Sequence, residues 1–195
     1  MSKPETLKPR RRLIAGLALA VLVVAAVAGG CSLLPFGRPS GQAGENPVTP
    51  DPGQGQVTLR LYFADSQAMW LVPEDRVVTA SQADTYATLV VEELIAGPQS
   101  EGHFRTIPDG TKLLSLEIRE EVAYVNFSKE IQTNHSGGST GEMFTIMSIV
   151  NSLTEGPDIK SVQFLIEGKR VESLVGHADT TVPIERNEDL ISSGN

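Results

Sequence analysis

Two Gly-Pro pairs limit where helices can lie in this chain. Gly97-Pro98 and Gly156-Pro157 each follow a segment in which apolar residues recur every three or four positions, the spacing of one face of a helix. Glycine and proline both end helices. The chain is therefore predicted to contain one helix that stops before Gly97 and a second that stops before Gly156.

The two predicted helices have defined apolar stripes and start signals. The first has Ser81 or Asp84 as its N-cap, and its stripe comprises Ala83, Tyr86, Ala87, Val90, Val91, Leu94 and Ile95. The second begins at Ser139-Thr-Gly-Glu142, which has the form of a capping box, and its stripe comprises Met143, Ile146, Met147, Val150 and Leu153.

Segments with strand alternation flank both helices. Residues 57–63 alternate strictly, and residues 70–78 are predicted to form a short hairpin that turns at Pro73-Glu74-Asp75. Further strands are predicted at 111–118, at 122–127 after a turn at Glu120-Glu121, and at 162–166 before a turn at Glu167-Gly168-Lys169. The order β-α-β-β-α-β favours an α+β domain with one mixed or antiparallel sheet and both helices packed on one face.

The first thirty residues have the three parts of an export signal. Basic residues extend to Arg12, residues 13–28 are apolar and uncharged, and Gly29-Gly30 precede Cys31. This arrangement resembles the lipobox of bacterial lipoproteins, which implies removal of residues 1–30 and a lipid anchor on Cys31. The alternative is an uncleaved transmembrane anchor with an incidental cysteine. Both interpretations place the domain outside the cytoplasm, and the first places it on the outer face of the cell membrane.

Composition divides the remaining chain into a linker, one domain and a short tail. Residues 31–56 are rich in proline and glycine and are predicted to be a disordered linker. The domain is predicted at 57–190, with a frayed tail at 191–195. Beyond residue 30 the chain keeps 11 of its 16 basic residues against 23 of its 24 acidic residues. Such an acidic surface repels phosphate backbones, so nucleic acid is excluded as a partner.

No group of residues has the spacing of a catalytic, cofactor or metal site. His103, His135 and His177 lie in predicted loops far apart in sequence, and no HExxH pattern occurs. The Gly-rich stretch 135–142 lacks P-loop spacing, and its simpler interpretation is a flexible loop that leads into a helix. The pairs Glu92-Glu93 and Glu120-Glu121 are expected to be solvated. Tyr62 and Trp70 are expected in the core rather than stacked on glycan. We therefore expect no enzyme activity and no cofactor.

Several segments in a fixed order resemble the GerMN domain family of sporulation and spore germination proteins. The resemblance covers about 57–190, and its carriers are 61–63, 71–74 with Arg76, 94–98, 107–112, 125–128, 149–154, 162–168, 174–176 and 183–186. It implies an exported, often lipid-anchored domain without known catalytic residues, with a fold similar to ring-building modules of secretion machines. The expected function is a protein-binding or assembly module in the cell envelope, with self-association as one option. The alternative is a domain that binds peptidoglycan.

Overall fold

A computed structural model describes residues 55–192 of the chain. The predictions for the signal peptide, for Cys31 and for the linker up to residue 54 lie outside these residues. The elements in chain order are β1 (Gly55–Ala64), β2 (Leu71–Ala80), α1 (Tyr86–Ala96), β3 (Leu113–Arg119), β4 (Val122–Phe127), α2 (Glu130–Thr133), α3 (Ser139–Leu153), β5 (Ser161–Ile166), β6 (Lys169–Arg170) and β7 (Ile184–Glu185). A 3₁₀ turn follows at Glu188–Leu190. Gly55 and Gln56, which were assigned to the linker, are the first residues of β1.

The strands form two sheets rather than the single sheet expected from the element order. β1 and β2 pair with each other, whereas the larger sheet has the order β3-β4-β5-β6 with β7 also against β5. Only the β4–β5 pair is parallel among these strands. The α+β class is confirmed, with α1 and α3 both in contact with β1.

The two sheets stay separate because helix α3 occupies the free edge of β1. The backbone N–H of Tyr62 donates to Ser152 Oγ at 3.0 Å, and Ser148 Oγ donates to the Tyr62 carbonyl at 2.6 Å. Two residues further on, Ala64 pairs with Phe104 through both of its backbone groups. Since these backbone groups already have partners, no strand of the larger sheet can pair with β1 there.

The predicted turn at Pro73-Glu74-Asp75 is wrong, because β2 continues through all three residues. The hairpin turns instead at residues 65–70, where Asp65 Oδ1 accepts hydrogen bonds from the N–H groups of Met69 and Trp70. The carbonyl of Leu71 points away from β1, toward Ser192 N–H. Pro73 lies two residues further along and points the same way, so its missing N–H removes no bond to β1.

Both helices end as predicted, but they begin differently. The N-cap of α1 is Thr85, whose Oγ1 accepts from Thr88 N–H at 3.1 Å, while Asp84 accepts from Ser81 in the preceding turn. The predicted capping box does not form, because the N-cap of α3 is Gly138, without a side-chain cap. The stripe of α3 is correct at Ile146, Val150 and Leu153, whereas Met143 is exposed.

One apolar core joins both sheets to both long helices. It contains Phe63 from β1, Phe127 and Phe164 from the larger sheet, and Leu94 and Leu153 from the helices. A smaller cluster of Tyr62, Ala64, Leu71 and Phe144 lies on the other side of the β1–β2 sheet, packed against Leu190 and Ile191. The C-terminal segment that was predicted to fray is therefore paired as far as Ser192.

Candidate functional site

A pocket of about 470 Å³ lies where three loops meet the first turns of α3. Its walls are the β1–β2 turn at 64–68, the segment 104–109, the loop 134–137 and helix residues 140–145. Its volume is within the usual range for ligand sites, roughly 300–1,000 Å³. Residues of the Gly-rich stretch 135–142 thus line this pocket.

His135 is the pocket residue most suited to acid–base chemistry, and both of its ring nitrogens have partners. Nε2 lies 3.1 Å from Thr145 Oγ1, and Nδ1 lies 3.2 Å from the N–H of Gly137. Thr145 Oγ1 donates its own proton to the Thr106 carbonyl at 2.6 Å. Nδ1 also lies 3.1 Å from the Gly137 carbonyl, so both ring nitrogens are engaged whichever of them carries the hydrogen. The imidazole fixes the loop to α3 and offers neither nitrogen to a substrate.

The loop can fold back on α3 only because residue 137 is glycine. A Cβ atom at this position would lie 2.8 Å from Gly141 Cα and 3.3 Å from His135 Cε1. On the other wall, Asn134 Nδ2 donates to the Asp109 carbonyl at 2.8 Å. The glycine at position 137 therefore allows the loop to pack closely against α3 beside the pocket. It does not serve to present a nucleophile.

Four exposed apolar side chains lie on the segments that form the pocket. Phe104 lines it with 53% of its surface exposed, and Met69 and Trp70 follow directly after the lining residue Ala68. Met143, the fifth residue of α3, is also exposed. Trp70 was expected in the core, but 43% of its surface is in contact with solvent. Exposed aromatic and methionine side chains around a cavity are typical of binding surfaces.

The other predicted candidate residues do not converge on this pocket. The ring of His103 contacts Glu74 at 3.2 Å, whereas His177 is exposed and its backbone N–H donates to Glu142 at 2.8 Å. Tyr62 is 3% exposed and its hydroxyl donates to Glu155, so it cannot stack on a glycan. Glu92 is exposed on α1, while Glu93 pairs with a buried arginine.

Glu142 is a structural residue of the loop that follows β6. It is fully buried and accepts hydrogen bonds from Ser173 Oγ, Val175 N–H and His177 N–H at 2.5–2.9 Å. Burial favours the neutral carboxyl, but these donors outweigh burial and hold the pKa of Glu142 below its ordinary value. Three donors in a fixed arrangement leave this carboxylate no role in proton transfer at the pocket.

A buried ionic network outside the pocket lining has no counterpart among the sequence predictions. Glu74 and Arg76 of β2 pair with each other, and Arg76 also reaches Glu93 at 2.5 Å and the Gly97 carbonyl at 3.0 Å. Glu74 further accepts from the N–H groups of Gln99 and Ser100. Burial raises the pKa of Glu74, but Arg76 and the two backbone donors outweigh burial and lower that pKa to about 2.

Within residues 55–192 no group of three metal-ligating side chains lies close enough to hold an ion. No helix in the same part of the chain has the length and apolar character needed to cross a membrane.

Comparison with known proteins places this domain in a family. The model of the family described as sporulation and spore germination (Germane) matches residues 60–172. A solved protein from Clostridium perfringens, provisionally designated a lipoprotein, is 25% identical, with a TM-score of 0.50 over 73% of this chain and 95% of that one. No curated protein matches the chain.

Two further structures come from the sporulation protein GerM of Bacillus subtilis. Its first GerMN domain is 18% identical, with a TM-score of 0.52 over 68% of this chain and 98% of that one. Its tandem GerMN domains are 20% identical, with a TM-score of 0.56 over 67% of this chain and 46% of that one. The chain thus spans about half of the tandem structure and corresponds in fold to a single GerMN domain. The resemblance found in the sequence is confirmed, and the chain belongs to the sporulation and spore germination family.

Proposed function

We propose that this chain is a non-catalytic protein, anchored to the outer face of the cell membrane, that binds another envelope protein during sporulation or germination. One observation carries the proposal. Both ring nitrogens of His135 are used in internal hydrogen bonds, while Phe104 in the pocket lining and Met69 and Trp70 in the adjoining β1–β2 turn stay exposed. Such a surface can bury apolar area against a partner.

Two observations support the membrane anchor. The sequence places Cys31 directly after an export signal, and the chain is similar to a Clostridium perfringens protein provisionally designated a lipoprotein. A lipoprotein carrying two acyl chains would be held stably at the surface, where one chain gives only weak binding. Cys31→Ser should abolish labelling by a fatty-acid probe and leave the precursor uncut. Labelling of the variant at the level of the natural chain would contradict the anchor.

Protein binding can be tested by crosslinking from defined positions in sporulating cells. A photo-crosslinking amino acid replaces Phe104 beside the pocket or, as a matched control, Val182, an equally exposed apolar residue outside the pocket lining. We expect discrete protein adducts from position 104 and none of the same size from position 182. Equal adduct patterns from the two positions would contradict a partner at this pocket.

Peptidoglycan is the second candidate ligand, because the exposed ring of Phe104 lines the pocket together with Asp65 and Asn134, and such a surface also suits a sugar. Purified sacculi separate the two proposals. Retention of the chain on sacculi that is lost in Phe104→Ala would favour the wall ligand. Release of soluble wall fragments, abolished by a change at His135, would instead indicate an enzyme.

A further inference from the structure

We infer that the pocket takes an apolar side chain carried on a positively charged segment of the partner protein. This inference rests on the proposed function, and it adds the chemistry of the partner. The preference for an apolar side chain follows from the residues at the base and rim of the pocket. Ile107 and Phe144 are buried beneath it, and Phe104 stands half-exposed at its edge. A side chain that enters displaces water from apolar surface on several sides at once.

The only cation in the pocket lining is already used to end helix α1. The guanidinium of Arg105 donates to the carbonyls of Ile95 at 2.5 Å and Ala96 at 2.8 Å, and Nε contacts Asp109 at 3.1 Å. It lies so close to Gly97 that a Cβ there would be 2.6 Å from Nη2. Since the last carbonyls of a helix favour a cation, these contacts engage Arg105 at the end of α1, and an anionic ligand would have to compete with them.

Two carboxylates of the lining remain accessible to a partner. The side chain of Asp109 is 87% exposed, although it also pairs with Arg105. Asp65 uses Oδ1 to hold the β1–β2 turn, and its Oδ2 has no partner among residues 55–192. The ring of Phe104 is exposed in the lining and that of Trp70 in the adjoining turn, and such rings attract lysine and arginine through cation–π contacts.

The negative charge of the chain also disfavours two other candidate occupants of the pocket, an anionic lipid surface and a second copy of the chain. The whole chain has a formal net charge of −8. An anionic lipid surface is repelled by this charge, and so is a second copy of the chain, most strongly at low ionic strength. A cationic segment is attracted under the same conditions, so binding should weaken as salt is added.

Trp70 is the only tryptophan of the chain, and its backbone is hydrogen-bonded to the lining residue Asp65, so its fluorescence serves as a reporter near this pocket. The full chain, kept in a neutral detergent, is titrated with three N-acetylated and C-amidated tripeptides: Lys-Phe-Lys, Glu-Phe-Glu and Lys-Ala-Lys. Equilibrium dialysis of the same peptides detects binding that leaves the fluorescence unchanged. We expect Lys-Phe-Lys to bind about tenfold more tightly than Glu-Phe-Glu in about 0.01 M salt, with the difference shrinking toward about 1 M.

Changes in the peptide and in the protein separate the apolar contribution to binding from the contribution of charge. Lys-Ala-Lys should bind about tenfold more weakly than Lys-Phe-Lys, since it lacks the apolar anchor. Phe104→Ala and Asp109→Asn should each weaken Lys-Phe-Lys binding by about threefold or more, whereas Val182→Ala should leave it unchanged. Equal binding of Lys-Phe-Lys and Glu-Phe-Glu, or an effect of Val182→Ala as large as that of Phe104→Ala, would overturn the inference.

The crosslinking experiment separates failure of this inference from failure of the proposed function. If position 104 gives a specific protein adduct but the peptides show no preference for positive charge, the inference is wrong and the proposed function stands. If position 104 gives no specific adduct, the proposed function itself fails. A crosslinked partner segment that carries a net positive charge around an apolar residue would support both.

Discussion

Glu74 shows how one buried residue can hold together parts of the chain that are distant in sequence. Its carboxylate lies on the core-facing side of β2 and binds Arg76 of the same strand together with the N–H groups of Gln99 and Ser100. Removing one partner from such a group leaves an uncompensated buried charge. The segment 97–104, which leads into the pocket wall, therefore depends on a charge in the neighbouring strand.

Glu74→Gln should lower the free energy of unfolding by about 3 kcal/mol at neutral pH, because Arg76 loses its most buried partner. The matched control is Asp75→Asn, one residue along on the opposite face of β2, where the carboxylate pairs with Arg60 in solvent. Exposed ion pairs contribute little, so this control should change stability far less. Denaturant unfolding of both variants measures the difference, and equal losses would show that the Glu74 network is not stabilising.

The same carboxylate predicts a pH dependence. The folded-state pKa of Glu74, about 2, lies below the ordinary value of 4.5, so the unfolded chain binds the proton first. The stabilisation is complete above pH 4.5 and is lost as the pH falls toward 2. The difference in unfolding free energy between the natural chain and Glu74→Gln should shrink across that interval. A constant difference would mean that Glu74 does not carry a depressed pKa in the folded chain.

Single residues were predicted well where they follow a local rule and poorly where distant partners decide. Gly97 ends α1 as expected, since its backbone φ of 94° suits glycine, and Glu120-Glu121 form the expected turn. The prediction for Pro73, a turn, is wrong because its place at a strand edge cannot be read from its neighbours. Glu142 fits a capping box in sequence, yet its actual donors lie 31–35 residues away.

At the scale of elements, α3 differs from an ordinary amphipathic helix. Besides its apolar stripe it buries a row of polar residues, namely Thr145, Ser148, Asn151 and Ser152. Ser148 and Ser152 satisfy the backbone of Tyr62, while Asn151 exchanges two hydrogen bonds with the backbone of Asn187. The helix thus supplies the hydrogen bonds that a neighbouring strand would supply, and it holds the C-terminal segment as well.

Ser148→Ala should reduce the free energy of unfolding by about 1–3 kcal/mol, because it leaves the buried Tyr62 carbonyl and Thr106 hydroxyl without their partner. The control is Ser139→Ala on the first turn of the same helix, where the side chain is exposed and forms no cap. This change should stay within about 0.5 kcal/mol. A larger effect of Ser139→Ala would restore the capping-box interpretation.

The candidate site itself could be predicted only in part. The stretch 135–142 contains glycines, a histidine and hydroxyl groups, which made it a candidate site in the sequence, and its residues do line the pocket. The opposite walls, at 64–68 and 104–109, have no periodicity or motif that would bring them to the same place. They meet because Ala64 pairs with Phe104 and because Thr145 binds the Thr106 carbonyl, and both contacts join residues about 40 positions apart.

At the scale of the whole molecule, two sheets that share no backbone hydrogen bonds are joined by one core. Leu59, Leu61 and Phe63 of the small sheet belong to the same apolar cluster as Val125, Phe127 and Phe164 of the large sheet. All of the buried apolar residues between 55 and 192 lie from Leu59 to Leu174. Within the part of the chain that the structure describes, the core therefore needs neither the export signal nor the proline-rich segment.

A chain that begins at Gly55 should therefore fold and unfold as one cooperative unit. Trp70 fluorescence reports the small sheet and far-ultraviolet circular dichroism reports all elements, so the two denaturation curves should coincide. Leu153→Ala opens the shared core beneath both sheets and should lower the free energy of unfolding by about 2–5 kcal/mol. It should shift both curves equally, whereas Met143→Ala, on the exposed side of α3, should shift neither by much. If the fluorescence curve moved apart from the dichroism curve in Leu153→Ala, the β1–β2 sheet would be a separate unit that docks on the larger one.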